Sequence, residues 1–209
     1  MTATTLQALD KQAKTLPADL ASLDAWLDQR LEEKLAERER KKVRSLAIIA
    51  TKGTMDMAYP PFILATTAAA LGWNASIFFT FYGLELLKKE LNAKVSPMGN
   101  PAMPMKLPFG PEWLRHMNIP VPNAIAANMP GFESFATAMM GRTVKAKGVP
   151  TIKELRDICI ESDVRLLACQ MTVDLFSYRR EEFIPEIAGW IGATSYLAEA
   201  QNADVCLFV

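Results

Sequence analysis

Apolar positions in this chain change their period several times, and each change marks a new element. Between residues 18 and 42, leucines recur at Leu20, Leu23, Leu27, Leu31 and Leu35, at spacings of three and four. That spacing predicts a helix with one narrow apolar stripe. Trp26 sits beside the stripe, and Glu37 with Lys41 adds a favourable i,i+4 pair. So polar a helix reads as an arm, lying on its own domain or pairing with another subunit. The pattern then switches to a nearly continuous apolar run over 43–50, which predicts a central parallel strand. The loop Thr51-Lys-Gly-Thr-Met-Asp56 follows. A helix is predicted over 59–71, with Pro60 and Pro61 in its first turn and Gly72 ending it. Residues 75–81 form the second predicted strand, closed by a turn at Tyr82-Gly83. A short helix over 84–91 and a short third strand over 94–98 complete this half.

Residues 99–130 break the rhythm. Prolines 101, 104, 108, 111, 120, 122 and 130 are interleaved with methionines, and only a short helix near 112–117 stands out. A segment of this kind is often a lid or contact surface, although methionines also fill gaps in cores. Periodicity returns with a helix over 131–147 that places Phe132, Phe135, Met139 and Met140 near one face. Thr151 and Glu154 have capping-box spacing at the head of the next helix, whose buried face carries Ile152, Leu155, Ile158 and Cys159. Residues 164–169 are a short apolar strand ending in Cys169. Short helices near 172–177 and 180–183, a helix over 192–201 and a strand over 204–209 complete the pattern.

Strands alternating with helices predict an α/β fold with right-handed crossovers. Because the strands are near-continuous apolar runs, the sheet is expected to be mostly parallel with helices on both faces. The order of the strands is not legible. The expected organisation is an N-terminal helical extension over 1–42 and an α/β domain over 43–209, with the Pro/Met-rich insertion at 99–130.

Composition narrows the function classes. With 23 basic and 23 acidic residues the net charge is zero, which argues against binding nucleic acid through its phosphate backbone. No apolar run reaches the ~18 residues of a membrane span, so integral membrane insertion is not expected; peripheral membrane association stays open. The chain opens without a signal-peptide pattern, and three cysteines lack CxxC spacing. Free thiols in the cytoplasm are the expectation. His116 is the single histidine, so a Cys/His metal site has little support, and neither metal nor resident cofactor is expected.

Cys169 is the leading candidate for chemistry. A cysteine ending an apolar strand is commonly inert packing. Here a helix start follows at once, and helix N-terminal N–H groups favour thiolate. At the C-terminal edge of a parallel sheet, such a thiol stands where ligands bind. Without a CxxC partner it suits a persulfide rather than a dithiol cycle. Lys52, Gly53 and Asp56 lie on the loop after the first strand and should share that edge. Lys52 either stabilises an anionic sulfur or is an ordinary exposed lysine, and Asp56 is a candidate helix cap. Tyr82, Gly83, Asn100 and Met171 are further candidates for lining the pocket. Cys159 and Cys206 read as packing.

Three strand-end segments carry a family resemblance: Ile49-Ala-Thr-Lys-Gly-Thr-Met-Asp-Met-Ala-Tyr-Pro-Pro61, Phe79-Thr-Phe-Tyr-Gly-Leu84 and Leu167-Ala-Cys-Gln-Met171. Occurring in that order, they resemble the DsrE/DsrF-like sulfur-relay family in its DsrE2-type branch. The likeness covers residues 43–209 and implies a doubly wound α/β fold and homo-oligomers. It also implies a transient persulfide on Cys169, a small TusA-like carrier and a rhodanese-like donor as partners. The leading expectation is therefore a persulfide carrier or sulfurtransferase. The alternatives are a non-catalytic oligomeric assembly or binding protein, and a small-ligand or nucleotide-binding enzyme.

Overall fold

The computed structural model describes residues 19–96, 105–106, 110–115, 118–119, 128 and 130–209. The chain divides after Val43 into two units. The first contains helix α1 (Leu20–Lys41), on which Leu27, Leu31 and Leu35 are all exposed. Its ion pairs Arg30–Glu33, Lys34–Glu37 and Lys41–Glu37 follow the three- and four-residue spacing of a solvated helix face.

The second unit is built on β1 (Ser45–Ala50), β2 (Asn74–Phe79), β5 (Arg165–Cys169), β6 (Gly189–Ile191) and β7 (Val205–Phe208). Two further short strands, β3 (Met105–Lys106) and β4 (Asn118–Ile119), form a separate antiparallel pair. The five-stranded sheet is parallel throughout, in the order β6-β5-β2-β1-β7. The chain steps outward from β1 to β6, then returns to the far side of β1. Right-handed crossovers place the connections of the outward steps on one face and that of the return step on the other.

The packing follows this rule. Helices α2 (Met55–Ala70) and α5 (Ile152–Glu161) cover one face, where Phe62, Leu155 and Cys159 join Ile48, Ile77 and Leu166. Helix α7 (Ala193–Ala200) lies on the other, where Tyr196 and Ala200 pack with Ala47, Phe78 and Leu167. Tyr196 stacks on Phe78 and donates its hydroxyl to the Ile48 carbonyl at 3.0 Å. One side chain thus joins the return helix to two central strands.

Several local expectations are corrected. Helix α2 begins at Met55, so Pro60 and Pro61 lie inside it rather than in its first turn. The earlier start is anchored by the Thr54 carbonyl, which accepts the N–H groups of Met57 and Ala58, while the Met55 N–H bonds outside the helix to Lys94. Residues 94–96 are not a strand. The N–H groups of Val95 and Ser96 bond to the side chains of Thr137 and Asp56, leaving neither for a ladder. Residues 81–87 form a 3-10 turn instead of a later α-helix. Strand β6 was not legible, being three residues that include a glycine.

Helix α3 (Glu112–Arg115) falls within the expected 112–117 helix. Helix α4 (Phe132–Ala146) matches its predicted span, but Ala136 is its one buried residue and Phe135 is exposed. On α5 the capping box is present: Thr151 Oγ1 accepts the Glu154 N–H, and Glu154 Oε2 accepts the Thr151 N–H. Arg156, not Ile158, belongs to the buried face. It donates to the carbonyls of Leu86 and Lys88, satisfying the end of the 3-10 turn.

Candidate functional site

The C-terminal edge of the sheet gathers the ends of three neighbouring strands. Thr51–Thr54 follows β1, Thr80 and the 3-10 turn follow β2, and helix α6 (Gln170–Leu175) follows β5. Gly53 and Gly83 let the first two approach closely. A Cβ at Gly53 would stand 2.4 Å from the Tyr82 carbonyl oxygen, and one at Gly83 2.3 Å from that of Ala50. Glycine is required here for space. The Gly83 N–H bonds to the carbonyls of Thr51 and Thr80, locking the two strand ends together.

Cys169 ends β5 and occupies the N-cap position of α6. Its side chain belongs to the cluster under α7 with Leu167 and Phe78, and the residue is 1% exposed. Thr80 follows Phe79, the β2 residue paired with Ala168, which brings it alongside Cys169. Burial opposes ionisation of the thiol and is the largest single influence on it. Hydrogen bonds from the Thr172 and Thr80 hydroxyls and from the N–H groups of Thr172 and Met171 outweigh burial and hold the thiol below its ordinary value of 9.0. Thr172 is itself fully buried, lies 3.3 Å from Thr80 across the two hydroxyls, and accepts the Phe81 N–H at 3.2 Å.

The other nominated residues stand around this niche in different ways. Lys52 is exposed on the first loop and is not among the main groups acting on the thiol. Asp56 lies in the first turn of α2 without capping it; its carboxylate accepts the Ser96 N–H at 3.2 Å. Tyr82 is exposed and stacks on Phe176 at 5.8 Å. Met171 contributes its N–H to the niche while its side chain is exposed. Asn100 and His116 lie outside the described residues.

Thr80 and Thr172 were missed by sequence reading. For Thr172 a signal existed: it stands three residues after an N-cap cysteine, the spacing at which a helix first turn folds back on its cap. Thr80 had no local signal, since strand pairing alone brings it near.

The remaining cysteines differ in kind. Cys159 is fully buried, and burial pushes its thiol up to about 12. Cys206 is exposed, not packed as expected, because β7 is an edge strand whose alternate residues Cys206 and Phe208 stay uncovered. Among the described residues, no group of three or more His, Cys, Asp or Glu side chains is placed to hold a metal. Nor is any helix there long and apolar enough to cross a membrane. Two donors near the Thr51–Thr54 loop are already engaged: the Thr51 N–H bonds to Val209 and the Met55 N–H to Lys94. Neither N–H is therefore open to a phosphate, as the nucleotide-binding alternative would want of this loop.

A parallel sheet with helices on both faces, holding a thiol among hydrogen-bond donors at its C-terminal edge, defines an α/β protein with a single-cysteine site. The chain belongs to the DsrE/DsrF/DrsH-like family, whose profile matches residues 42–208. It is 50% identical over 167 residues to the sulfur carrier protein DsrE2 of Allochromatium vinosum, covering 79% of this chain and 98% of that one. This likeness places it in the DsrE2-type branch. It is also 27% identical over 168 residues to the uncharacterized protein YrkE of Bacillus subtilis, covering 80% of this chain and 98% of the relative.

Proposed function

We propose that this chain is a sulfur carrier that holds sulfane sulfur as a persulfide on Cys169 and relays it between protein partners. The observation that carries this reading is the place of Cys169, at the C-terminal end of β5, at the head of α6 and beside the end of β2, where its thiol is held below its ordinary value. Family membership and the sulfur-carrier name of the Allochromatium vinosum relative support it. In the loading step the Cys169 thiolate attacks the outer sulfur of a donor persulfide, R–S–SH. An S–S bond forms at Cys169 as the donor's S–S bond breaks. The electron pair leaves with the donor as thiolate, and Cys169 becomes Cys169–S–SH. Unloading is the same exchange with an acceptor thiolate, so neither step needs an external oxidant or reductant.

In this reading the partners are a small TusA-like carrier and a rhodanese-like donor, and the protein works as a homo-oligomer in the cytoplasm, with or without peripheral contact at a membrane. The decisive measurement is intact mass after incubation with a sulfane-sulfur donor. A gain of one sulfur atom, reversed by a reductant and absent in Cys169→Ser, is expected. Cys159→Ala and Cys206→Ser should keep the gain. Undiminished labelling of Cys169→Ser would refute the assignment.

A second reading, a non-catalytic assembly or binding protein, is favoured by one observation: Cys169 is 1% exposed. Under it the thiol is packing, and the unaltered chain should gain no sulfur.

A further inference from the structure

Helix α1 leaves its apolar stripe uncovered. Leu27, Leu31 and Leu35 are 50%, 58% and 53% exposed, an open apolar face on a helix of 22 residues. A helix in water gains most of its stability by packing such a face. A face left open in this way marks a contact surface.

The charges on the same face say what covers it. At about 100° per residue, Leu31 shares a face with the positions three, four and seven residues away on either side. Four away stand Leu27 and Leu35. Three away stand Asp28 and Lys34, and seven away stand Asp24 and Arg38. The acids thus precede Leu31 and the bases follow it, at equal distances. Glu32, Glu33, Glu37 and Glu39 lie farther round the helix. Laying a second α1 end for end over the first, with Leu31 on Leu31, keeps leucine on leucine and brings each of these acids to a base.

We infer that α1 docks on α1 of a second copy of this chain, antiparallel and about a two-fold axis at Leu31. Leu27 then packs against the partner's Leu35, Asp24 faces the partner's Arg38, and Asp28 faces the partner's Lys34. Each of these contacts occurs twice, as a two-fold interface requires. A parallel arrangement instead sets Asp24 against the partner's Asp24 and Arg38 against the partner's Arg38. Like charges therefore select the antiparallel one.

The charged groups are available for these roles. Among the described residues, Asp24, Asp28 and Arg38 enter no ion pair. Lys34 reaches Glu37 at 3.6 Å, an exposed pair of the kind that contributes little and yields to a better-placed acid.

The contact belongs to the homo-oligomer of the proposed function, and its test is separate from that of the sulfur chemistry at Cys169. Molar mass is followed against concentration by sedimentation of the full-length chain. The unaltered chain should self-associate. Leu31→Asp should weaken association at least about a hundredfold, since two leucines lose their burial and two like charges meet. Leu31 is exposed within one chain, so its replacement leaves the core intact. Asp24→Arg alone and Arg38→Asp alone should each weaken association severalfold, and the two together in one chain should restore it. Positions 24 and 38 lie about 21 Å apart along one helix, so that rescue needs an antiparallel partner. An unaltered chain that stays monomeric overturns both this contact and the homo-oligomer. An oligomer insensitive to Leu31→Asp, or a double variant without rescue, overturns the α1 contact alone. Failure of Cys169 to gain sulfur in a chain that passes these tests removes the carrier function and upholds the contact.

Discussion

Cys159 and Cys169 show how local surroundings decide the chemistry of one residue type. Both are buried. Cys159 has only the Phe62 carbonyl as a long contact at 3.9 Å, which accepts from the thiol and so favours the protonated form. Its pKa is pushed up to about 12. Cys169 is surrounded by donors, which favour the ionised form, and its pKa falls despite burial. Such a niche depends on close approach of the backbone beside it. Gly83→Ala should be damaging, because the new Cβ would stand 2.3 Å from the Ala50 carbonyl oxygen. The expected loss is about 3 kcal/mol, at the upper end for overpacking, read as a lower urea midpoint. An unchanged midpoint would mean that the strand ends can separate at little cost.

Among elements, α5 illustrates independence and α6 dependence. The α5 capping box is complete within four consecutive residues, so its start needs no tertiary partner. Thr151→Ala should cost about 1 kcal/mol in chemical denaturation, and Thr151→Ser should recover most of it. Helix α6 has only six residues, too few to be stable alone. Its place is set by β5 before it and by the Phe81 bond to Thr172 within it. The 3-10 turn likewise ends where Arg156, reaching from α5, takes the carbonyls of Leu86 and Lys88. Residues 94–96 have strand-like composition, yet side-chain acceptors claim their N–H groups first.

At the scale of the whole molecule, the return of the chain from β6 to the far side of β1 puts helices on both faces of the sheet and so creates two apolar layers. The layer beneath α2 and α5 is the larger and contains Cys159. The layer beneath α7 is smaller and contains Cys169 and Tyr196. Burial is the main cause raising Cys159, Tyr178 and Tyr196 to about 12, from 9.0 for the cysteine and 10.0 for the tyrosines. A pKa raised on folding contributes stability below its unfolded value and loses it as pH rises through the folded one. Stability should therefore decline between about pH 9 and 12. Cys169 acts in the opposite sense: its contribution is present above 9.0 and lost as pH falls through its lowered folded value. Urea midpoints measured across the alkaline range test the sum. A midpoint constant from pH 9 to 12 contradicts it, and Cys159→Ala should remove the part that begins near 9.0.

Periodicity, capping spacing and glycine placement are properties of short segments, so the sequence by itself determined the helices α1, α2, α4, α5 and α7, four of the five strands of the parallel sheet, and the thiol at a strand end. Cys169, Gly53, Tyr82 and Gly83 could be nominated because they lie within or just after such segments. Tertiary structure alone decided the strand order, the existence of β6, and the pairing that sets Thr80 beside Cys169. It also decided that Cys206 is exposed and that Arg156 is buried. Hydrogen-bond partners come together through pairing across the sheet, with Thr80 and Thr172 separated by 92 positions along the chain. Contacts of that separation leave no periodic trace in either segment, and the balance between burial and donors at one sulfur depends on them.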